Sequence, residues 1–242
     1  KMMVQITNIL DITFPEYKPF FNNNISTTFI YILNKYKNTS HIALMKDYDS
    51  LKTLSHGRFT YAQFAKLKQL AKDSVGYHDD NTDYLLASSI SIYNDLNDEI
   101  DSIDDKISTI IKELNPRMLT IPGIGDTTAA IILSEFGDIN NFSSPDKMLA
   151  FAGLEPGVIQ SGTLEFQGKM VKRGSSMLRY TLMNAARIVI KYNTTFYDYY
   201  YEKHYNQSKP YRLALSHVCK KLVRVVYTLE TKQIDFDSSL LR

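Results

Sequence analysis

The amino-acid sequence predicts a mainly α-helical fold with one short β segment. Apolar residues recur at spacings of three and four over several long stretches, which is typical of amphipathic helices. Proline and glycine separate these stretches, as at Pro116 and Gly153. Residues 158–171 instead alternate apolar and polar around Leu164 and Phe166, which predicts a small β-hairpin or an extended loop with Gly162 and Gly168 at its turns.

The composition is that of a folded protein in a reducing compartment. The chain has 242 residues, 44% of them hydrophobic and 22% charged, which is enough for one or two domains with a core. The single cysteine, Cys219, excludes an internal disulfide and is expected in the core, and no Cys/His cluster has zinc-ligand spacing. No leader and no long apolar run is visible, so we expect a cytoplasmic protein without membrane contact. Because the first residue is Lys1, we expect the chain to be cut from a longer protein.

The first half is divided into two predicted segments, 1–78 and 79–115. The first reads as short helices with loops and includes an amphipathic helix at 59–72. In the second, apolar residues keep to one seam of a long helix that stops before Pro116: Tyr93, Leu96, Ile100, Ile103, Ile107, Ile110 and Leu114. This seam predicts a coiled-coil arm that self-associates, with an ordinary amphipathic helix on a globular core as the alternative.

Charge is distributed unevenly along the chain, although the net charge is only +2. Residues 79–115 carry ten acids against two lysines, a net −8, whereas residues 158–224 carry twelve Lys/Arg against three acids, a net +9. A basic surface of this kind is the electrostatic signature of a protein that binds a polyanion. We therefore expect the C-terminal part to contact nucleic acid, unless its cations only solvate helix faces.

A glycine turn precedes the basic part. Gly123 and Gly125 flank Ile124 in a turn that predicts unusual backbone angles, and Asp126 or Thr127 is expected to cap the following helix. The turn resembles a helix-hairpin-helix motif, whose backbone N–H groups hold a phosphate without reading sequence. An ordinary tight turn between helices is the alternative. A second capped helix is predicted to follow, with Ser144 as its N-cap, Pro145 at its first position and Gly153 after its end.

A second candidate phosphate site lies at residues 160–182. Ser161 is predicted on an exposed loop, and a helix is predicted to begin at Ser175 or Ser176. The residues of that helix expected to face inward are Leu178, Leu182, Ala185 and Val189. Lys172, Arg173 and Arg179 cluster at the positive end of that helix, where free N–H groups, hydroxyls and cations would meet a phosphate. The residues alone do not decide whether a serine acts as a nucleophile, because no base or triad is legible.

The C-terminal helix is predicted to have one apolar side and one basic side. Its inward stripe is Leu215, Val218, Leu222, Val225 and Leu229. Lys220, Lys221 and Arg224 lie elsewhere on it and could track a phosphate backbone. The aromatic run at 192–205 could stack on bases, or fill a helical interface, which is the commoner role.

Several ordered motifs over residues 116–230 resemble one family. These are "IPGIGDTTAAIILSEFGDINNFSSPDKMLAFAGLEPG", "QSG", "GKMVKRGSSMLRYTL" and "KPYRLALSHVCKKLVRVVYTL". They are similar to the C-terminal domain of insertion-sequence transposases that pair a RuvC-like DEDD nuclease domain with a serine-bearing domain, which include Piv-type invertases and bridge-RNA-guided recombinases. The heptad segment resembles the coiled coil of these enzymes, and "FPEYKPFF" resembles the segment after their nuclease domain.

The resemblance implies a recombinase that cuts and rejoins DNA through a phosphoserine link, guided by a bridge RNA and assembled as a dimer or tetramer. Ser161 in "QSG" matches the catalytic serine of the family. The other predicted nucleic-acid contacts are Gly123, Gly125, Gly162, Lys169, Lys172, Arg173, Gly174, Ser175, Ser176, Arg179, Lys220, Lys221 and Arg224. The RuvC-like domain, with its four acids and magnesium, is expected before residue 1, so that this chain holds no metal or cofactor and is incomplete as a catalyst.

The resulting domain prediction has four segments. Residues 1–78 follow the missing nuclease domain, 79–115 form the coiled coil, 116–230 form the serine-bearing domain, and 231–242 form a tail. A noncatalytic helix-hairpin-helix DNA-binding module and a coiled-coil scaffold are the alternative functions.

Overall fold

The computed structural model describes residues 1–161, 164–170 and 173–240, with side chains except at 156–161, 164–170 and 240. The described residues are mainly helical, which confirms the predicted fold class. They divide into two compact units, Lys1–Ser102 and Ile103–Arg242.

Short helices surround an aromatic core in the first unit. Tyr17 is fully buried, its hydroxyl donates to the Phe29 carbonyl oxygen at 2.8 Å, and its ring packs edge-on against the ring of Phe29. Thr60 and Gln63 form a reciprocal capping box at the start of one helix. The helices of this segment are α1 (Met2–Thr13), α2 (Tyr17–Phe20), α3 (Thr27–Tyr36), α4 (Thr39–Ala43), α5 (Tyr48–Leu54) and α6 (Tyr61–Lys72).

The long helix α7 (Asp80–Leu114) contributes residues to both units. It ends two residues before Pro116, as predicted from the conformational restriction that proline imposes. Much of the predicted apolar seam is exposed in the single chain: Leu96, Ile100, Ile103, Ile110 and Leu114 are 46–62% accessible to solvent.

The second unit is built around two long helices, at 176–192 and 211–232, whose apolar sides were predicted from the sequence. All five stripe residues of the last helix are buried, and so is Cys219. Cys219 is therefore a core residue, and its burial raises the pKa of its thiol to about 12. Together with the end of α7, the α-helices described in this unit are α8 (Asp126–Phe136), α9 (Pro145–Phe151), α10 (Ser176–Tyr192), α11 (Thr194–Tyr201) and α12 (Tyr211–Lys232).

Helix α9 begins and ends as predicted. The Ser144 side chain caps it by accepting from the Lys147 N–H, and Pro145 occupies its first position. Gly153 follows its end with a φ of +65°. The helix thereby stops where the chain turns toward the strands.

Two antiparallel strands, β1 (Pro156–Ser161) and β2 (Leu164–Met170), form the β segment. Ser161 pairs with Leu164, so the strands are joined through residues 162–163, and Gly162 lies outside the described residues. Gly168 was wrongly predicted at a turn. It lies in β2, where the register shifts between Pro156 and Val158, and a bulge is a position that glycine favours.

Candidate nucleic-acid interface

The chain enters α10 through a glycine that no other residue can replace without strain. Gly174 has a φ of +85°, and a Cβ built there would lie 2.3 Å from the carbonyl oxygen of Phe151. Ser175 then caps the helix, its Oγ accepting from the Leu178 N–H at 3.2 Å, which selects Ser175 over Ser176 as the predicted cap. Ser176 is the first helical residue and is exposed.

Arg179 lies in the first turn of α10 and stabilises residues 173–175, the turn that leads into the helix, which we call the entry turn. Its Nη1 donates to the carbonyl oxygens of Arg173 at 2.9 Å and of Gly174 at 3.1 Å. These bonds fix the turn and keep a cation at the positive end of α10, while the Arg173 side chain is exposed. The structure thus places Arg173, Gly174, Ser175, Ser176 and Arg179 together at the start of α10, and their contact with nucleic acid stays a prediction.

The other predicted site residues around the candidate serine are residues whose side chains are not described. Ser161 is the last residue of β1 and Lys169 lies in β2, but only their backbone is described. Gly162 and Lys172 lie outside the described residues. The roles of these four residues therefore stay predictions.

The glycine turn before α8 packs against α10. Gly123 has the predicted unusual backbone, with a φ of +102°, and a Cβ there would meet the Ile188 side chain at 3.0 Å and the Val189 nitrogen at 3.4 Å. Gly125 has extended backbone with a φ of −102°, so the prediction of an unusual conformation was wrong for it. The helix that precedes this turn is a single 3₁₀ turn at Arg117–Thr120.

The predicted cap of α8 was also wrong. Gly125 is the N-cap, and no side chain caps the helix among the described residues, because the Asp126 carboxylate instead accepts from the Ser108 hydroxyl at 2.6 Å. Asp126 is consequently the first residue of α8 rather than its cap. The first N–H groups of α8 are left without a side-chain acceptor within the described ranges, as an anion-binding helix end requires.

The three cations predicted on α12 have different surroundings. Arg224 pairs with Asp146 at 3.0 Å on an exposed surface. The Lys221 ammonium lies 4.7 Å from the centre of the Tyr199 ring, and burial lowers the pKa of this lysine. Lys220 is half-buried. These residues share one helix, but they do not form a row of equivalent free cations.

Sequence reasoning missed a basic cluster around His217. Burial lowers the pKa of His217, and the nearby charges of Lys209, Lys220 and Lys203 lower it further. The Lys209 Nζ lies 3.3 Å from the His217 Nε2. The cluster combines cations from three separate segments, so no local pattern could have predicted it.

Two roles were predicted for the aromatic run at 192–205, stacking on bases and filling a helical interface, and its residues have two different environments. Phe196 is fully buried and stacks on Phe236 of the C-terminal segment. Tyr197, Tyr201 and Tyr205 are exposed and form a consecutive series of neighbouring rings. Only part of the run therefore fills the interior.

The described residues contain neither a helix that could span a membrane nor a group of side chains that could hold a metal ion. No helix among residues 1–161 and 173–240 is long and apolar enough to cross a membrane. In the same part of the chain, no three His, Cys, Asp or Glu side chains are grouped as a metal site would require.

Part of the second unit is similar in sequence to a family of known proteins. Residues 115–201 match the model of the family described as Transposase IS116/IS110/IS902 family. The chain is 37% identical over 76 residues to the transposase for insertion sequence element IS1111A of Coxiella burnetii, covering 31% of this chain and 21% of the relative. It is 32% identical over 101 residues to the transposase for IS1328 of Yersinia enterocolitica, covering 41% and 30%.

A third relative matches over a longer stretch of the chain. The pilin gene-inverting protein of Moraxella bovis is 28% identical over 150 residues, which covers 59% of this chain and 47% of that protein. The matches to these three relatives thus cover from about a fifth to about half of each relative's length. They confirm the family predicted from the motifs.

Proposed function

We propose that this chain is the serine-bearing, nucleic-acid-binding part of a DNA recombinase, because its residues 115–201 match the model of the IS116/IS110/IS902 family of transposases. The observation that carries the proposal is the arrangement at the start of α10. Arg173, Ser175, Ser176 and Arg179 lie at one helix N-terminus, which begins at Ser176, after β2 ends at Met170. Ser161 is the last residue of β1, the strand that pairs with β2. The names of the matched relatives, transposases and a pilin gene-inverting protein, describe DNA rearrangement.

In the proposed reaction, Ser161 is the nucleophile. Its hydroxyl loses a proton and its Oγ bonds to the phosphorus of a DNA phosphodiester, while the bond from phosphorus to the leaving deoxyribose oxygen breaks and that oxygen takes up a proton. Attack of a second deoxyribose hydroxyl on the phosphoserine reverses these changes and joins a new pair of DNA ends. The number of phosphoester bonds is conserved, so the exchange needs no external energy source.

The start of α10 would stabilise the phosphate during this exchange. Negative charge grows on the phosphate oxygens as the serine attacks, and preorganised donors at a helix N-terminus favour that charge. Arg179 supports this role indirectly, because it fixes the carbonyl groups of the entry turn and so orients the first N–H groups of the helix. Arg173 is exposed and would contact the phosphate directly.

Three further parts belong to the proposal. A RuvC-like domain outside this chain would supply the acids that hold magnesium, as the resemblance to the transposase family implies. A structured bridge RNA would select the DNA sites. The exposed seam of α7 would join subunits into a dimer or tetramer, because it leaves large apolar side chains uncovered in the single chain.

The experiment substitutes Ser161 in a full-length protein that includes the nuclease domain. We expect Ser161→Ala to abolish covalent protein–DNA adducts while the affinity for DNA changes less than about twofold, because only the attacking oxygen is removed. Ser134→Ala is the matched control, since Ser134 is an exposed hydroxyl on α8. Adducts and affinity are measured on denaturing gels and by fluorescence anisotropy.

The outcomes separate the alternatives. Adducts that persist in Ser161→Ala would refute the nucleophile. If neither the wild type nor the variants form adducts but DNA affinity falls steeply with salt, the noncatalytic DNA-binding module is favoured. Self-association with no salt-sensitive affinity would favour the scaffold.

A further inference from the structure

One side of α10 carries five residues that the proposed serine site does not use. Met177, Tyr180, Asn184, Arg187 and Lys191 follow one another at spacings of three and four, which places them on one side of the helix. We call these five residues the α10 face. Four are exposed and Asn184 is half-buried.

The α10 face has no partner within the described ranges of the chain. Tyr180 is 67% exposed, and none of the five side chains makes a hydrogen bond, ion pair or ring contact to another described residue. The opposite side of the same helix is fully buried at Leu182 and Val189. Core packing therefore fixes the helix and leaves this face outward.

The sequence around α10 carries charge of one sign. No Asp or Glu occurs between Glu165 and Asp198, and α10 itself contains three cations. The six cations of this acid-free stretch are Lys169, Lys172, Arg173, Arg179, Arg187 and Lys191. A surface helix normally mixes both signs, so this composition is complementary to a polyanion.

Both ends of α10 meet a proposed phosphate-binding element of the same unit. Its N-terminus carries Arg173 and Ser175, while near its C-terminus Ile188 and Tyr192 contact the Gly123 turn that leads into α8. With 17 residues the helix is about 25 Å long, at about 1.5 Å per residue. The α10 face thus lies on the helix that joins these two candidate phosphate-binding elements.

We propose that the α10 face lies in the major groove of duplex DNA, with Arg187 and Lys191 on phosphates and Tyr180 and Asn184 toward base edges. The inference rests on the proposed DNA-binding function and names the surface that carries it. The major groove of B-DNA admits an α-helix, and asparagine is suited to bidentate contact with adenine. The major groove of duplex RNA is too deep and narrow for this contact.

The test uses the whole 242-residue chain and a double variant, Arg187→Gln with Lys191→Gln. The control removes two exposed lysines of α6, Lys66→Gln with Lys72→Gln, so that both proteins lose the same charge. Affinity for a DNA duplex is measured by fluorescence anisotropy between about 50 and 200 mM salt. The thermal unfolding midpoint is expected to stay unchanged in both, because all four side chains are exposed.

We expect the slope of log affinity against log salt to fall by about 1.8 in the α10 variant, since each lost phosphate contact removes about 0.9. The corresponding loss of affinity at 0.1 M salt is roughly tenfold or more, and the α6 control is expected to keep the wild-type slope. An equal change in the two variants would overturn the α10 face while leaving DNA binding intact. A flat salt response of the wild type would overturn both proposals.

A second experiment distinguishes duplex DNA from duplex RNA as the ligand. The same measurement is made with an RNA duplex of the same sequence, for which we expect the α10 variant and the wild type to differ by less than about twofold. An equal loss on DNA and RNA would overturn the assignment to the DNA groove. Tyr180→Ala with Asn184→Ala should lower DNA affinity without changing the salt slope, because neither residue is charged.

Discussion

Helices α7 and α10 are both amphipathic, but they present opposite surfaces. Between Asp80 and Leu114, α7 carries nine acids and two lysines, and its apolar seam is left exposed. Between Ser176 and Tyr192, α10 carries no acid, and its apolar side is buried. The periodicity that predicts both helices therefore does not tell whether the apolar side is covered by the same chain or by another one. The charge of the outer face then separates a helix suited to a protein partner from one suited to a polyanion.

The largest expected effect compares the two apolar sides directly. Leu182→Ala, on the fully buried side of α10, should lower the free energy of unfolding by about 2–5 kcal/mol because it leaves a cavity. Ile100→Ala, on the exposed seam of α7, should change it by less than about 0.5 kcal/mol, but weaken self-association. Denaturant unfolding and sedimentation velocity measure the two quantities. A large loss of stability in dilute Ile100→Ala would show that the seam is covered within the monomer.

A smaller effect is expected at the entry to α10. Gly174→Ala should cost about 2 kcal/mol, because alanine is strained at a positive φ and its Cβ would press on the Phe151 carbonyl oxygen. Gly125→Ala is the matched control, since a Cβ there meets nothing within 4 Å and the loss is expected to stay below about 1 kcal/mol. Thermal unfolding checks both variants. Equal losses would mean that the Gly174 turn is not what holds the start of α10.

The smallest expected effect concerns the basic cluster of the second unit. Burial, together with Lys209, Lys220 and Lys203, lowers the pKa of His217 below its usual value near 6.5 in the folded state. Above this pH the histidine is neutral in both states and contributes no pH dependence. As the pH falls below it, the unfolded chain binds the proton more readily, so stability decreases. We expect His217→Gln to lose less stability than the wild type between pH 7.5 and 5.5 in urea titrations, and parallel curves would contradict this.

Several local features were predictable because neighbouring residues create them. Ser175 and Ser144 were predicted as caps from the residues that follow them, and the buried stripe of α12 was predicted from its spacing. The cap of α8 was not predictable in this way. Asp126 is drawn to Ser108, a residue 18 positions earlier, and local propensity does not include that contact.

The candidate site was predictable in its residue types and only partly in its geometry. Arg179 was expected beside a phosphate, but its Nη1 is bonded to the carbonyl oxygens of the entry turn, which makes it a positioning residue. Arg224 was expected to track a phosphate backbone, and it pairs with Asp146 across 78 positions of the chain. Such partners are brought close only when α9, α10 and α12 pack together.

The sequence by itself determined the helical class, the ends of α7 and α9, the inward sides of α10 and α12, and the family. Each of these depends on residues a few positions apart, or on a linear pattern of motifs. Only the tertiary structure decided which cations have partners, which glycine faces the backbone of another helix, and which side of α10 is left open. These properties depend on distances between segments far apart in the chain, and core packing sets those distances.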